Sequence, residues 1–194
     1  MKIAATGVLL GILAVSTGCQ NMDHMMGKKP HHGMMDMKHK MDMKHQLNDA
    51  QIMSVLSTAN MGEITQGQIA LQKAQRTEVR SFAQKMVTEH TANDQMGQAL
   101  AARLGVTPQA NPISMKLKKE SDDVVMKLNK ADAKDIDKDY IHSQVKVHKM
   151  VLETIDKKLL PSAQNAELRT LLTQTRGAVA MHLQMAEQLK DMMK

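Results

Sequence analysis

From Asn48 onward, apolar residues return every third or fourth position in four segments of roughly 25 residues, and no other feature limits the fold as tightly. Ile52, Leu56, Ala59, Glu63, Gln66 and Ala70 form the first stripe, with Asn48 placed to cap a helix that runs to Gln75. Thr77 opens the second, where Val79, Ala83, Met86, His90, Gly97, Leu100 and Leu104 share a face until Gly105 stops it. Residues 105–113 carry Pro108 and Pro112 and read as a loop, and Ser114 caps a shorter, more polar helix to Lys130. The third long stripe, in a segment from Ala133 to Leu159, is Ile141, Val145, His148, Leu152, Ile155 and Leu159, and Pro161 breaks it. Asn165 begins the last, with Leu168, Leu172, Thr175, Val179, His182, Ala186 and Leu189. Such helices are each about 40 Å long, and short connections make sequential neighbours antiparallel. The expected fold is all-α, a ferritin-like antiparallel four-helix bundle with an extra short helix in the long connection.

Composition agrees. Four Pro and ten Gly in 194 residues favour helix over sheet. Phe82 and Tyr140 are the only aromatic residues, which argues against nucleic-acid modules that stack bases on aromatic platforms. The net charge of +6 suits anionic lipid better than it suits a nucleic-acid footprint.

The chain is expected to divide at residues 1–18, 19–46 and 47–194. Lys2, the apolar run Ile3 to Val15 and the small residues Ser16-Thr17-Gly18-Cys19 form the three-part pattern of an export signal. It is too short to remain as a membrane span. The ending is similar to a lipobox, with Cys19 as the lipidated residue anchoring the chain in the membrane; cleavage after Ala14-Val15-Ser16 is the alternative. The expected location is the cell envelope, facing the periplasm. Gln20, in place of the Asp that retains lipoproteins at the inner membrane, points by resemblance to the outer one.

A Met/His tract then fills 24 positions with eight Met (Met22, Met25, Met26, Met34, Met35, Met37, Met41, Met43) and five His (His24, His31, His32, His39, His45). MDMKH occurs twice within it, at Met35 to His39 and Met41 to His45. Without Leu, Ile, Val or aromatic residues, this tract reads as a flexible linker. Thioethers are soft ligands and imidazoles borderline ones, so the set suits copper or a similar soft ion for sequestration, tolerance or hand-off; zinc or nickel through the histidines stays open, as does an inert spacer. Asp23, Asp36 and Asp42 are too dispersed for a hard-cation site.

Each long helix also places one ionisable group in its stripe: Glu63, His90, His148 and His182. Converging in a bundle core, three imidazoles and a carboxylate would suit zinc, copper or iron. Counted from turns near 76 and 162, Glu63 and His90 share a level, whereas His148 and His182 differ by six residues, about 9 Å. His142 matches His182 in depth but sits off the stripe. The alternative is a buried polar network in which Glu63 pairs with His90 and the other histidines bond Tyr140 or backbone. Met181 and Met185 flank His182 as soft ligands or as core filler. No phosphate loop, nucleophile motif or paired-carboxylate cleft is present, so ordinary catalysis is not expected.

The motifs Ala59-Asn60-Met61-Gly62-Glu63, Phe82 through His90 (FAQKMVTEH), Tyr140 with His148, and His182-Leu183 carry a family resemblance. From Asn48 to Met193 the chain resembles the bacterial exported domain-of-unknown-function family 4142, which implies export and a ferritin-like bundle. Val147 stands where the family tends to carry an acidic residue, and the Met/His tract lies outside the family pattern. Glu89 adjoins His90, and no Glu precedes His182 by three, so the Glu-x-x-His pairs of di-iron bundles are missing.

Overall fold

The computed structural model describes residues 46–193. Cys19, the signal segment and all thirteen Met/His residues of the tract lie outside the described residues.

Five helices and no strand make up the described residues: α1 (Asp49–Lys73), α2 (Thr77–Leu104), α3 (Pro112–Lys130), α4 (Ile136–Thr154) and α5 (Ala166–Asp191). Beyond Thr154, α4 continues through a π-helical turn, Ile155–Leu159, and a last α-helical turn, Leu160–Ser162, that contains Pro161. None of these helices is long and apolar enough to cross a membrane.

The caps explain the boundaries. Asn48 and Gln51 form a reciprocal box at the start of α1, with Asn48 Oδ1 accepting from the Gln51 amide at 2.8 Å. Two sequence-based caps move. Arg76, not Thr77, precedes α2 and offers no side-chain cap. The Asp137 carboxylate of α4 supplies one from outside, accepting from the Gln75 and Arg76 amides at 2.9 Å each. Ser114 is the third residue of α3, and Asn111 is its cap, with Pro112 in the first turn where the missing N–H costs nothing. Gly105 ends α2 with φ 63°, a left-handed conformation that glycine adopts without strain. Asn165 caps α5 as expected, accepting from Glu167 and Leu168.

Hydrogen bonds between ends fix the topology. The Gln109 amide donates to Ala50 O near the start of α1, and Lys73 Nζ at the end of α1 donates to the carbonyls of Leu128, Asn129 and Ala131. Thus α3 carries the long connection back along α1 and lets α4 start where α2 starts. At the far end, Asp49 accepts from the Gln164 and Asn165 amides. Helices α1, α2, α5 and α4 therefore form a ring in which each neighbour is antiparallel, and α3 packs on α1 and α4. This is the bundle topology with one long crossover.

Two apolar clusters fill the core. One, at the end where α1 starts, includes Ile52, Leu56, Leu100, Ile155, Leu159, Leu168 and Leu172. The other, at the end where α2 starts, includes Val79, Phe82, Met86, Leu128, Ile136, Tyr140 and Ile141. Gly67 lets α1 and α2 approach closely there: a Cβ on it would stand 2.8 Å from Val87 Cγ2 and 3.2 Å from the Ala83 carbonyl oxygen. In sequence, every long helix passes from one cluster to the other through a polar stretch, with Asn60, Glu63 and Gln66 on α1, His90 on α2, Gln144 and His148 on α4, and Thr175 and His182 on α5, all buried. Gly97, expected on the α2 stripe, meets open space, and Asp94 takes the buried position one turn earlier.

Candidate metal centre

Within the polar layer, His90, His148 and His182 converge. Their ring centroids are 5.3 to 5.8 Å apart, and one ring nitrogen from each lies within 4.8 Å of the other two. The depth mismatch expected between His148 and His182 shrinks. The turn closing α4 on α5 is centred near residue 164 rather than 162, so His148 lies sixteen residues before it and His182 eighteen after. The remaining difference of two residues is about 3 Å at the α-helical rise. His142, the other depth-matched histidine, is exposed.

Each imidazole has one nitrogen already committed. His90 Nδ1 is 2.9 Å from Asn60 Oδ1. Since Asn60 Nδ2 donates to Asn93 Oδ1, and Asn93 Nδ2 donates to Thr175 Oγ1, the amide of Asn60 is oriented with its oxygen toward the ring, and His90 is the donor. This relay ties α1, α2 and α5 together behind one histidine. His148 Nδ1 donates to the Gln144 carbonyl oxygen at 3.0 Å. His182 Nε2 donates to Glu89 Oε2 at 2.7 Å, and Glu89 is held in turn by Lys85. The remaining nitrogens, His90 Nε2, His148 Nε2 and His182 Nδ1, are buried with no hydrogen-bond partner. An unmade bond to a buried polar atom costs about 1–3 kcal/mol, so three in one place is a standing cost that a bound cation would remove. Histidine ligands whose second nitrogen donates to a carbonyl, amide or carboxylate are the arrangement that fixes tautomer and raises ligand basicity in metal sites.

Burial disfavours the charged form of His90 and His182. Burial pushes the His90 pKa well below the usual histidine value, and the neighbouring His148 and His182 rings push in the same direction. Burial lowers His182 too, against the opposing hydrogen bond to Glu89. Partial burial works to raise Glu89, but the hydrogen bonds from Lys85 and His182 outweigh it and hold this carboxyl below its ordinary range. A neutral imidazole presents a lone pair without first losing a proton.

Glu63 corrects the expected quartet. It is 2% exposed, yet it stands outside the group of converging nitrogens. Its Oε1 is 4.0 Å from His148 Nδ1, on the ring edge already committed to Gln144, and it does not pair with His90. Burial raises its pKa, with His148 and then Gln144 opposing. Tyr140 lies behind it with an unpartnered hydroxyl whose pKa is pushed well up by burial and by Glu63. No histidine bonds Tyr140 among the described residues. Met181 is 55% exposed and Met185 packs against the apolar cluster of Phe82 and Tyr140, so neither joins the centre.

Reasoning from the stripes overlooked Asn60, Glu89 and Asn93. A signal for the first existed: Asn60 lies three residues before Glu63 on the same helical face, inside the motif that carries the family resemblance. Glu89 and Asn93 sit beside the apolar face of α2, and only the packing of α5 on α2, and of α1 behind Asn93, gives them their partners across the bundle.

On the α2 and α5 side, a groove of about 280 Å³ leads to the centre. Glu89, Ala92, Asn93 and Met96 line it from α2, Gln174, Thr175, Ala178 and Val179 from α5, and the His90 and His182 rings form its floor.

The model of a domain of unknown function, DUF4142, matches residues 35–189, so the chain belongs to that family. The match begins inside the Met/His tract, at the first MDMKH repeat, and so reaches thirteen residues further toward the N-terminus than the resemblance from Asn48. No curated protein and no solved structure matches the chain.

Proposed function

We propose that this member of a family whose description assigns no activity is a metal-binding protein of the cell envelope, with a single transition-metal ion held by His90, His148 and His182. The observation that carries this reading is the set of three buried imidazoles, each with one nitrogen that donates and one left unpartnered, clustered so that one ring nitrogen from each lies within 4.8 Å of the others. For a tetrahedral ion with nitrogen at about 2.0–2.1 Å, ligand atoms stand about 3.3 Å apart, so small side-chain movements close the present spacing. Three neutral imidazoles suit zinc, cobalt, copper(II) or iron(II). Bound there, such an ion would supply Lewis acidity or a redox couple. The protein's own share is to fix the tautomers through Asn60, Gln144 and Glu89 and to seal the centre on its α1 and α4 side by burial.

A second reading rests on the sequence of the Met/His tract, with eight thioethers and five imidazoles from Met22 to His45. On that reading the chain, anchored through lipidated Cys19 at the outer membrane, gathers copper or a similar soft ion through weak exchangeable ligands, and the bundle is its support. Cobalt, zinc and copper titrations with metal analysis separate the two. One equivalent lost on His90→Ala and kept on deleting residues 22–45 supports the core centre. Several equivalents lost only on the deletion support the tract. Binding in neither case leaves an envelope structural or stress module built around a polar core network.

A further inference from the structure

Three histidines leave a tetrahedral ion one ligand short, and the described residues offer no fourth. Glu63 is on the far edge of His148, and Glu89 is spent on His182 and Lys85. Three protein ligands and an open position distinguish sites that take up a further molecule from closed structural ones. Near the centre, two directions differ. Toward α1 and α4 it is sealed by Glu63, Tyr140, Gln144 and His148, each no more than 2% exposed. Toward α2 and α5 it is reached by the groove, whose floor is two of the three ligand rings.

The walls of that groove are small because of particular residues. Ala92 and Met96 stand one turn apart on α2, and Gln174 and Ala178 one turn apart on α5. Ala92 and Ala178 leave the width that a larger side chain at either position would fill. The lining is mainly apolar, and its one charged group, Glu89, is negative, so a neutral occupant is favoured over an anion. About 280 Å³ is near the lower limit for small-molecule sites and suits a body of one ring.

We propose that the groove between α2 and α5 is a binding site for a small uncharged molecule that carries one nitrogen donor on an apolar body, the donor completing the coordination of the ion at His90, His148 and His182. This rests on the core metal reading above, and the two fail separately in the following test. The full chain is loaded with cobalt(II), its metal content is measured, and imidazole and 4-phenylimidazole are titrated while the visible ligand-field bands are followed. Cobalt held by the tract survives in His90→Ala, and that variant's spectrum is subtracted. The expected result is that 4-phenylimidazole binds about tenfold more tightly than imidazole, because its second ring is buried in the groove. In Ala92→Phe, a change at an exposed wall position, and in Ala178→Leu, the ratio falls to near one while cobalt content stays at the level of the unaltered chain. A ratio near one in the unaltered chain, or a ratio that both variants leave intact, overturns the ligand site and leaves the metal centre standing. Equal cobalt content in His90→Ala and the unaltered chain removes the metal centre and the ligand site together.

Discussion

Acidification in the absence of metal tests the buried histidines directly. His90 and His182 have folded-state pKa values below their unfolded ones, so in acid the unfolded chain binds protons that the folded chain resists. Stability is then unaffected above the unfolded value, about 6.5, and falls as pH drops below it. Between about pH 6.5 and 5.5, each such histidine costs about 1 kcal/mol, and the pair about 2 kcal/mol, if neither titrates in the folded state. Glu63 acts with the opposite sign, since its raised pKa lets the folded chain keep a proton that the unfolded one has lost. Glu89, lowered by its partners, contributes stability that is lost only around and below the ordinary carboxyl value of about 4.5, outside the window. The comparison is therefore made with His90→Gln combined with His182→Gln, in which Glu63 remains and the titrating rings are gone. Urea unfolding with a chelator present, at both pH values, gives the measurement. At a slope of about 2 kcal/mol per molar urea, the midpoint of the unaltered chain should fall about 1 M further than that of the variant. Parallel midpoints would show that these rings take up protons freely when folded, and the argument from burial would be wrong.

Asn60→Ala removes the acceptor that orients His90 without touching a nitrogen of the triad, and metal affinity should fall about 10- to 100-fold by competition titration. Asn60→Asp, which keeps an oxygen facing His90 Nδ1, should recover most of that loss. Asp137→Ala strips the amides of Gln75 and Arg76 of their buried acceptor and should lower stability by about 1–3 kcal/mol in urea unfolding, with metal content unchanged because Asp137 lies at the far end of α4 from His148.

Much of the fold was legible because it depends on neighbours in sequence. The 3.6-residue period selects helix, and Asn48, Gly105 and Asn165 mark ends through contacts within three or four residues. Where the true cap was distant, local reading failed: α2 is capped by Asp137, about sixty residues away, and Thr77 only looked like its cap. The caps of α3 show a milder version, since Asn111 and Ser114 both take part and only the backbone geometry says which is first.

His90, His148 and His182 were likewise visible as breaks in apolar stripes, because residue type and helical phase settle which face a side chain takes. Whether they meet was a question of depth. Depth depends on where a turn closes, and the helix carries on through Pro161 to Ser162, which moves that turn from near 162 to near 164. Glu63 shows the same limit from the other side. Its stripe position gave its burial correctly, yet the packing of α1 against α4 puts its carboxylate on the wrong edge of His148 to share in the cluster. The chain's own order of residues thus determined helices, their inward faces and the type of chemistry buried there. The tertiary structure alone decided which three of those groups stand together and which nitrogens remain unspent, since those facts are set by distances between helices rather than along one.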